Sequence, residues 1–193
     1  MSKHEENSAA TRARLIQLGL ERFPLKGFSA TSVRDLLHGS GLAIGAFYYH
    51  FAGKDEFFLA ILESVAGPRG AMRAFAEASS PATLEEAVLL VVGPLAANPA
   101  SGAMSLVVAD FALSHKDDAA ARERIAATRR HSLAEIADYI EVMQGRGLIR
   151  ADEDAATLAS MAFATMEGHV FHQEIYSTGF ETALPAIVRL LRP

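Results

Sequence analysis

Thr31 to Lys54, TSVRDLLHGSGLAIGAFYYHFAGK, constrains this chain more than any other stretch. Val33, Leu36 and Leu37 recur at i, i+3 and i+4, which gives a short helix one buried face. Thr31 stands where an N-cap hydroxyl meets the free amides of the first turn. Gly39, Ser40 and Gly41 then interrupt the helix, and glycine tolerates the backbone angles of a sharp turn. A second short helix is expected over roughly Ala43 to Tyr49, anchored by Leu42, Phe47 and Phe51. Two short helices about a glycine turn form a helix-turn-helix, whose second helix can enter a DNA major groove.

The second helix is built for close approach. Ala43, Gly45 and Ala46 are small, and Tyr48, Tyr49, His50 and Lys54 bring polar or charged tips suited to phosphate. Taken by spacing alone, Phe47, a tyrosine and Phe51 also fit an ordinary all-α core.

Further residues hold fixed offsets from this turn. They are Phe23 and Lys26-Gly27-Phe28 before it, and Thr31 to Leu36, Gly41, Gly45, Tyr48 to Phe51 and Lys54-Asp55 within and after it. On these residues the stretch resembles the DNA-binding domain of the tetracycline-repressor family of bacterial transcriptional regulators, over roughly residues 10 to 60. The resemblance implies a homodimer in which the last two helices of each protomer pair as a four-helix bundle. It also implies that the larger helical part binds a small-molecule effector. Thr31, Ser32 and Arg34 are then expected at phosphate, and Ala43, Ile44, Gly45 and Ala46 facing the groove. Tyr48, Tyr49, His50 and Lys54 are expected to clamp the DNA backbone. Many members carry a hydroxyl or a basic residue where this chain has Ala43 and Ile44. No residue from 43 to 46 can make a bidentate base contact. Direct readout is therefore expected from Tyr48, Tyr49, Arg34 and thymine-methyl contacts by Ile44 or Ala46, with base discrimination weaker than typical or more indirect.

Charge is divided as such a protein requires. Residues 1–54 carry seven Lys/Arg against four Asp/Glu, and the rest carries eleven against nineteen. The expected domains are 1–54, the DNA-binding part with an N-terminal tail, and 55–193, the helical ligand-binding and dimerisation part. The fold class is all-α. Cysteine is absent, which excludes disulfides and thiolate metal sites. No apolar run approaches the roughly 20 residues of a membrane span. Met1 to Ala10 lacks the apolar centre of a signal peptide, so a cytoplasmic protein with no membrane partner is expected.

Along the chain, Met1 to Ala10 is expected to be a polar tail, and Thr11 to Phe23 a helix that Pro24 ends. A helix from Lys54 is interrupted at Gly67-Pro68-Arg69-Gly70, where the resembled family joins its two domains; this break is expected on the signal path. Thr83 and Glu86 form a capping box for the next helix, which ends near Asn98. Ser101 to Ser114 is apolar nearly all round and so interior. Asp110 within it needs either a solvent edge or a polar pocket wall. Glu123, Glu135, Asp138 and Glu141 mix with arginines on a long helix from Asp117, which predicts a solvated, salt-bridged face. Asp152 or Asp154 caps a helix with two apolar stripes, and a last helix covers about Thr182 to Leu191.

The effector pocket is expected to draw on Met72, Phe75, Met104, Val108, Phe111, Tyr139, Met143, Phe163 and Met166, about half of them lining a cavity for an apolar or aromatic molecule. The dimer interface is expected at Leu158, Met161, Thr165, Gly168, His172, Ile187, Leu190 and Leu191. His169 and His172 are neighbours on a helix, but hydrogen bonding to nearby groups is the favoured reading, and no metal or cofactor is expected. There is no nucleophile elbow, phosphate loop, H-E-x-x-H or dinucleotide fingerprint. The protein is therefore expected to be a regulator and not an enzyme.

Overall fold

The structure is a computed structural model that describes residues 3–97, 99–177 and 183–193. Among the described residues all regular structure is helical. The helices are α1 (Lys3–Lys26), α2 (Val33–Leu37), α3 (Ile44–His50), α4 (Lys54–Ala66) and α5 (Ala71–Ala78), then α6 (Leu84–Ala97), α7 (Pro99–Ser114), α8 (Ala119–Gly145), α9 (Ala155–Tyr176) and α10 (Ala183–Leu191). None of them is long and apolar enough to cross a membrane. Asn98 and Thr182, expected at helix ends, lie outside the described residues.

The chain forms two compact units. The first takes the residues up to Val65 together with Leu106–Ala126, and the second takes Ala66–Ser105 and Ala127 to the end.

Phenylalanine holds the first unit together. Phe23, Phe28, Phe47, Phe51, Phe57, Phe58 and Phe111 are all buried. Phe28 meets Phe58 and Phe111 at 5.2 and 4.7 Å between ring centres, and Phe57 meets Phe47 and Phe51 at 5.1 and 4.8 Å. Each buried ring contributes about 1.5–3 kcal/mol, enough to hold helices as short as α2 and α3 that have little stability of their own.

Two expectations at the N-terminus are corrected. The polar start is helical from Lys3, with Glu5 and Glu6 in its first turn at the positive end of the helix dipole. Pro24 does not end α1, which continues to Lys26. A proline so near the end removes a single ladder bond, and the amide of Gly27 still donates to Phe23. Gly27 then takes a left-handed conformation (φ 83°), where a side chain would be strained and would crowd the Asp110 carboxylate.

The second unit is a helical core drawn from α6, α8, α9 and α10. Val88, Tyr139, Ile140, Met143, Leu158, Ala159, Ile187 and Leu191 are among its buried members. Asp154 caps α9 by accepting from the Thr157 amide and hydroxyl. Half of the capping box expected at α6 is present. Thr83 accepts from the Glu86 amide, while Glu86 accepts from the amide of Ala82 instead of Thr83.

Candidate nucleic-acid interface

Ser32, not Thr31, caps α2. Its hydroxyl accepts from the Asp35 amide, and Asp35 accepts in return from the Ser32 amide and hydroxyl. These bonds, with Lys26 at 3.3 Å, hold the Asp35 carboxyl down at about 2. Thr31 is buried and donates its hydroxyl to the Gly27 carbonyl at 2.6 Å, so it positions the corner and is withdrawn from phosphate. Ser40 stitches the turn between the helices. Its hydroxyl donates to Leu37 and accepts from the Leu42 amide, while Gly39 and Gly41 supply positive φ on either side.

α3 is amphipathic over only seven residues. Phe47 within it and Phe51 just beyond it point inward and are fully buried. Ile44, Tyr48 and Tyr49 point outward, with 46, 56 and 70% of their surface exposed. Ile44 and Tyr48 stand four apart and share a side of the helix, as do Gly45 and Tyr49. The Tyr49 ring lies edge-on to the half-buried His50 at 4.9 Å, and Tyr48 lies edge-on to Phe47 at 5.3 Å. Both tyrosines are thus braced by a neighbouring ring while most of each side chain stays exposed. Ala43 is the N-cap residue, exposed and without a capping side chain, and Ala46 is half-buried. Ser32 and Arg34 are exposed on and before α2.

Lys54 is turned inward. Its ammonium donates to the Phe28 carbonyl at 2.9 Å and sits 4.2 Å from the Phe28 ring centre. It is a brace of the corner, which corrects the expected phosphate contact. Beside it Asp110, from α7, accepts from the Ser29 amide at 2.8 Å and the Ser29 hydroxyl at 2.6 Å. Burial pushes the Asp110 carboxyl up, but Ser29, the Phe28 amide and Lys54 outweigh it and leave it below its ordinary value. Asp110 therefore lies at a solvent edge, as one of the two expected settings, and is clamped there by Ser29. Spacing could not reveal this contact, which spans 81 residues of chain. Asp110→Ala should destabilise the first unit by about 1.5–3 kcal/mol, since hydrogen bonds to a charged group are lost. Urea unfolding checks this, and an unchanged midpoint would rule the clamp out.

The residues expected at the pocket and the dimer interface divide differently. Phe111 belongs to the phenylalanine core of the first unit, Met143 is fully buried, and buried Tyr139 donates to the Ala87 carbonyl. These three are core residues. Met72, Met104, Val108, Phe163 and Met166 are half-buried and Phe75 is exposed. A surface depression of about 580 Å³ in the second unit is lined instead by Gln144, Ile149, Arg150 and Arg192, among others. Leu158, Ile187 and Leu191 are buried within their own protomer and Leu190 packs on the same core, so they are not available to a partner. Met161, Gly168 and His172 are exposed and Thr165 partly so; Phe171, Ile175 and Tyr176, which sequence reasoning passed over, extend the exposed apolar surface of α9. His169 is hydrogen-bonded to the Thr165 carbonyl, and no cluster of three metal-ligating residues exists among the described residues.

Two short helices about a glycine turn, with α1 and α4 behind them and a row of outward tyrosines, define the class: an all-α protein on an N-terminal helix-turn-helix domain. Residues 15–61 match the family model for bacterial regulatory proteins of the tetR family. The HTH-type transcriptional repressor KstR2 of Mycobacterium tuberculosis is 42% identical over 45 residues, which are 23% of this chain and 22% of that protein. The transcriptional regulator AcuR of Cereibacter sphaeroides is 38% identical over 50 residues, 26% of this chain and 23% of that one. The chain thus matches less than a quarter of the length of either relative. The fold likeness reaches further. A putative TetR-family regulator from Rhodococcus sp. superposes with a TM-score of 0.72 at 21% identity, over 94% of this chain and 96% of that one. Reduced NemR of E. coli gives 0.71 at 18%, over 94 and 97%. FadR of Bacillus subtilis, solved with stearoyl-CoA, gives 0.64 at 16%, over 93 and 97%.

Proposed function

We propose that this protein is a homodimeric, cytoplasmic transcriptional regulator that binds a roughly palindromic operator and is released by a small apolar or aromatic effector. It acts by binding and not by catalysis. The observation that carries this reading is the outward group Ile44, Tyr48 and Tyr49 on a helix anchored from the other side by the fully buried Phe47. Nothing in the packing of the domain needs those side chains outside, whereas a major groove does. The relatives are transcriptional regulators, and FadR, one of the similar folds, is a regulator solved in complex with stearoyl-CoA, which supports control by a small molecule.

The interface takes Ser32 and Arg34 to phosphate. Ala43, Gly45 and Ala46 permit close approach of the α3 backbone, and Tyr48, Tyr49 and His50 flank the groove. Residues 1–54 form the DNA-binding part and the remainder the effector-binding and dimerisation part. Dimerisation is supported by α9, where Met161, Thr165, Gly168, His172 and Ile175 recur at alternating spacings of four and three. That is the 3.5-residue period of a helix-pairing seam, and Gly168 lets backbones approach. A two-fold dimer sets its recognition helices about 34–36 Å apart.

The test is binding of the purified protein to duplex fragments flanking its own gene across a salt series. With Arg34 and one or two further cations per protomer on phosphate, four to six in the dimer, log affinity should fall with log salt at a slope of roughly −4 to −5. Binding that is absent, or indifferent to salt, would overturn the reading.

A further inference from the structure

We infer that Ile44 is the sequence-reading residue of this domain, and that it reads thymine through the 5-methyl group. The inference rests on the DNA-binding reading above and specifies its chemistry. On the outward face of α3, positions 43, 45 and 46 are Ala, Gly and Ala, which offer no hydrogen-bonding group to a base edge. Tyr48 and Tyr49 are the polar tips. Ile44 remains as a large apolar side chain, nearly half exposed, at the start of the helix, the end that meets base edges in helix-turn-helix proteins. The major groove displays one apolar feature, the thymine methyl. Ala46 is half-buried and carries only a methyl of its own, so of the two candidates Ile44 has the reach.

The flanking residues favour this contact. Ala43 and Gly45 leave the start of α3 without bulk, so neither residue adjoining Ile44 in the chain keeps its side chain from the groove floor. Isoleucine is branched at Cβ and stiff at χ1, so little side-chain freedom is lost when it is ordered against a base. A thymine methyl packed on it is removed from water at about 0.8 kcal/mol, or about fourfold in affinity. A two-fold operator presents the same thymine twice, which raises the effect to about fifteenfold.

The experiment uses the full-length protein and the tightest duplex found among the flanking fragments. Each symmetric pair of thymines is replaced in turn by deoxyuridine, which deletes the methyl and leaves the Watson–Crick edge intact. Wild-type protein should lose about fifteenfold at one symmetric pair and less than twofold elsewhere. Ile44→Ala, at an exposed site where alanine is a good helix former, should bind the thymine duplex about as weakly as the wild type binds the deoxyuridine one. It should not distinguish the two duplexes. The inference is overturned if every deoxyuridine duplex binds wild type within twofold of the parent, or if Ile44→Ala still discriminates. If the wild type binds no duplex at all, it is the DNA-binding reading itself that fails, and the inference with it.

Discussion

Alanine at both Tyr48 and Tyr49 is expected to weaken operator binding by a hundredfold or more while leaving the unfolding transition in place. More than half of each side chain is exposed, and the buried anchors on either side, Phe47 and Phe51, are untouched by the change. Within the fold the two rings do no more than lie edge-on against Phe47 and His50, which is worth little beside the seven buried phenylalanines. A side chain on a base edge or backbone is worth on the order of 1–3 kcal/mol, and the dimer loses two sets. Fluorescence anisotropy on a labelled duplex, with a thermal melt alongside, separates binding from folding. Phenylalanine at both positions keeps the rings and removes the hydroxyls, so it tells which part carries the affinity. A melt that drops by several degrees together with affinity would show that the tyrosines are structural.

The largest loss of stability is expected from Glu135→Ala. Glu135 lies on α8 with 5% of its surface exposed. Its carboxylate accepts from the Gly70 amide at 2.7 Å and the Met72 amide at 3.1 Å. It thereby caps the start of α5, whose own N-cap residue, Gly70, has no side chain to do so. One turn earlier on α8, the His131 ring bonds the Gly67 carbonyl at 3.0 Å, so α8 holds both sides of the Gly67–Gly70 corner. Alanine would strand the α5 amides, at a cost of about 2–4 kcal/mol. Burial pushes the Glu135 carboxyl up, but the amides of Met72 and Gly70, then His131 and the Ala71 amide, outweigh it and hold the group below its ordinary value of 4.5. A carboxyl so depressed stabilises the fold fully above its unfolded value, and that contribution disappears as pH falls through the folded one. Wild type should therefore lose more stability between pH 7 and pH 3 than Glu135→Gln does. Urea unfolding at the two pH values measures this, and equal losses would refute the capping role.

Glu135 also shows where reading the sequence stopped. Beside Asp138 and Glu141 it belongs to what looks like a solvated acidic face. Asp138 and Glu141 do pair at the surface, both with Arg73. Glu135 does not, because the partner that matters is the backbone of a corner far away along the chain, which no local pattern encodes. Asp110 and Lys54 follow the same rule. Their partners are backbone groups of Phe28 and Ser29 and the Ser29 hydroxyl, which no local spacing of side chains reveals. The helix-turn-helix was legible because its signals are local: apolar residues at i, i+3 and i+4, a glycine pair, and paired phenylalanines. Even there the cap moved by one residue, since Asp35 lies three after Ser32 and completes a box that Thr31 cannot. On α9 the two apolar stripes were visible, but the one that begins at Leu158 divides: Leu158 is buried in the core of the second unit, and Met161 is exposed.

The partners that the basic residues find within the domain have a consequence for timing. Lys54 is held at Phe28, Lys26 at Asp35, Arg22 on the His38 carbonyl and Arg12 over the Phe51 ring, so four of the seven cations of residues 1–54 are engaged within the domain. Bonds to neutral carbonyls leave these charges in place, but seven cations against four carboxylates give residues 1–54 a net charge of only +3, so a duplex approaching this surface meets a modest field and steering by long-range attraction adds little to the rate of encounter. Association should then proceed near the unsteered rate and respond little to ionic strength. The time the protein stays on its operator, set by short-range contacts of α3, would govern how long a gene remains controlled.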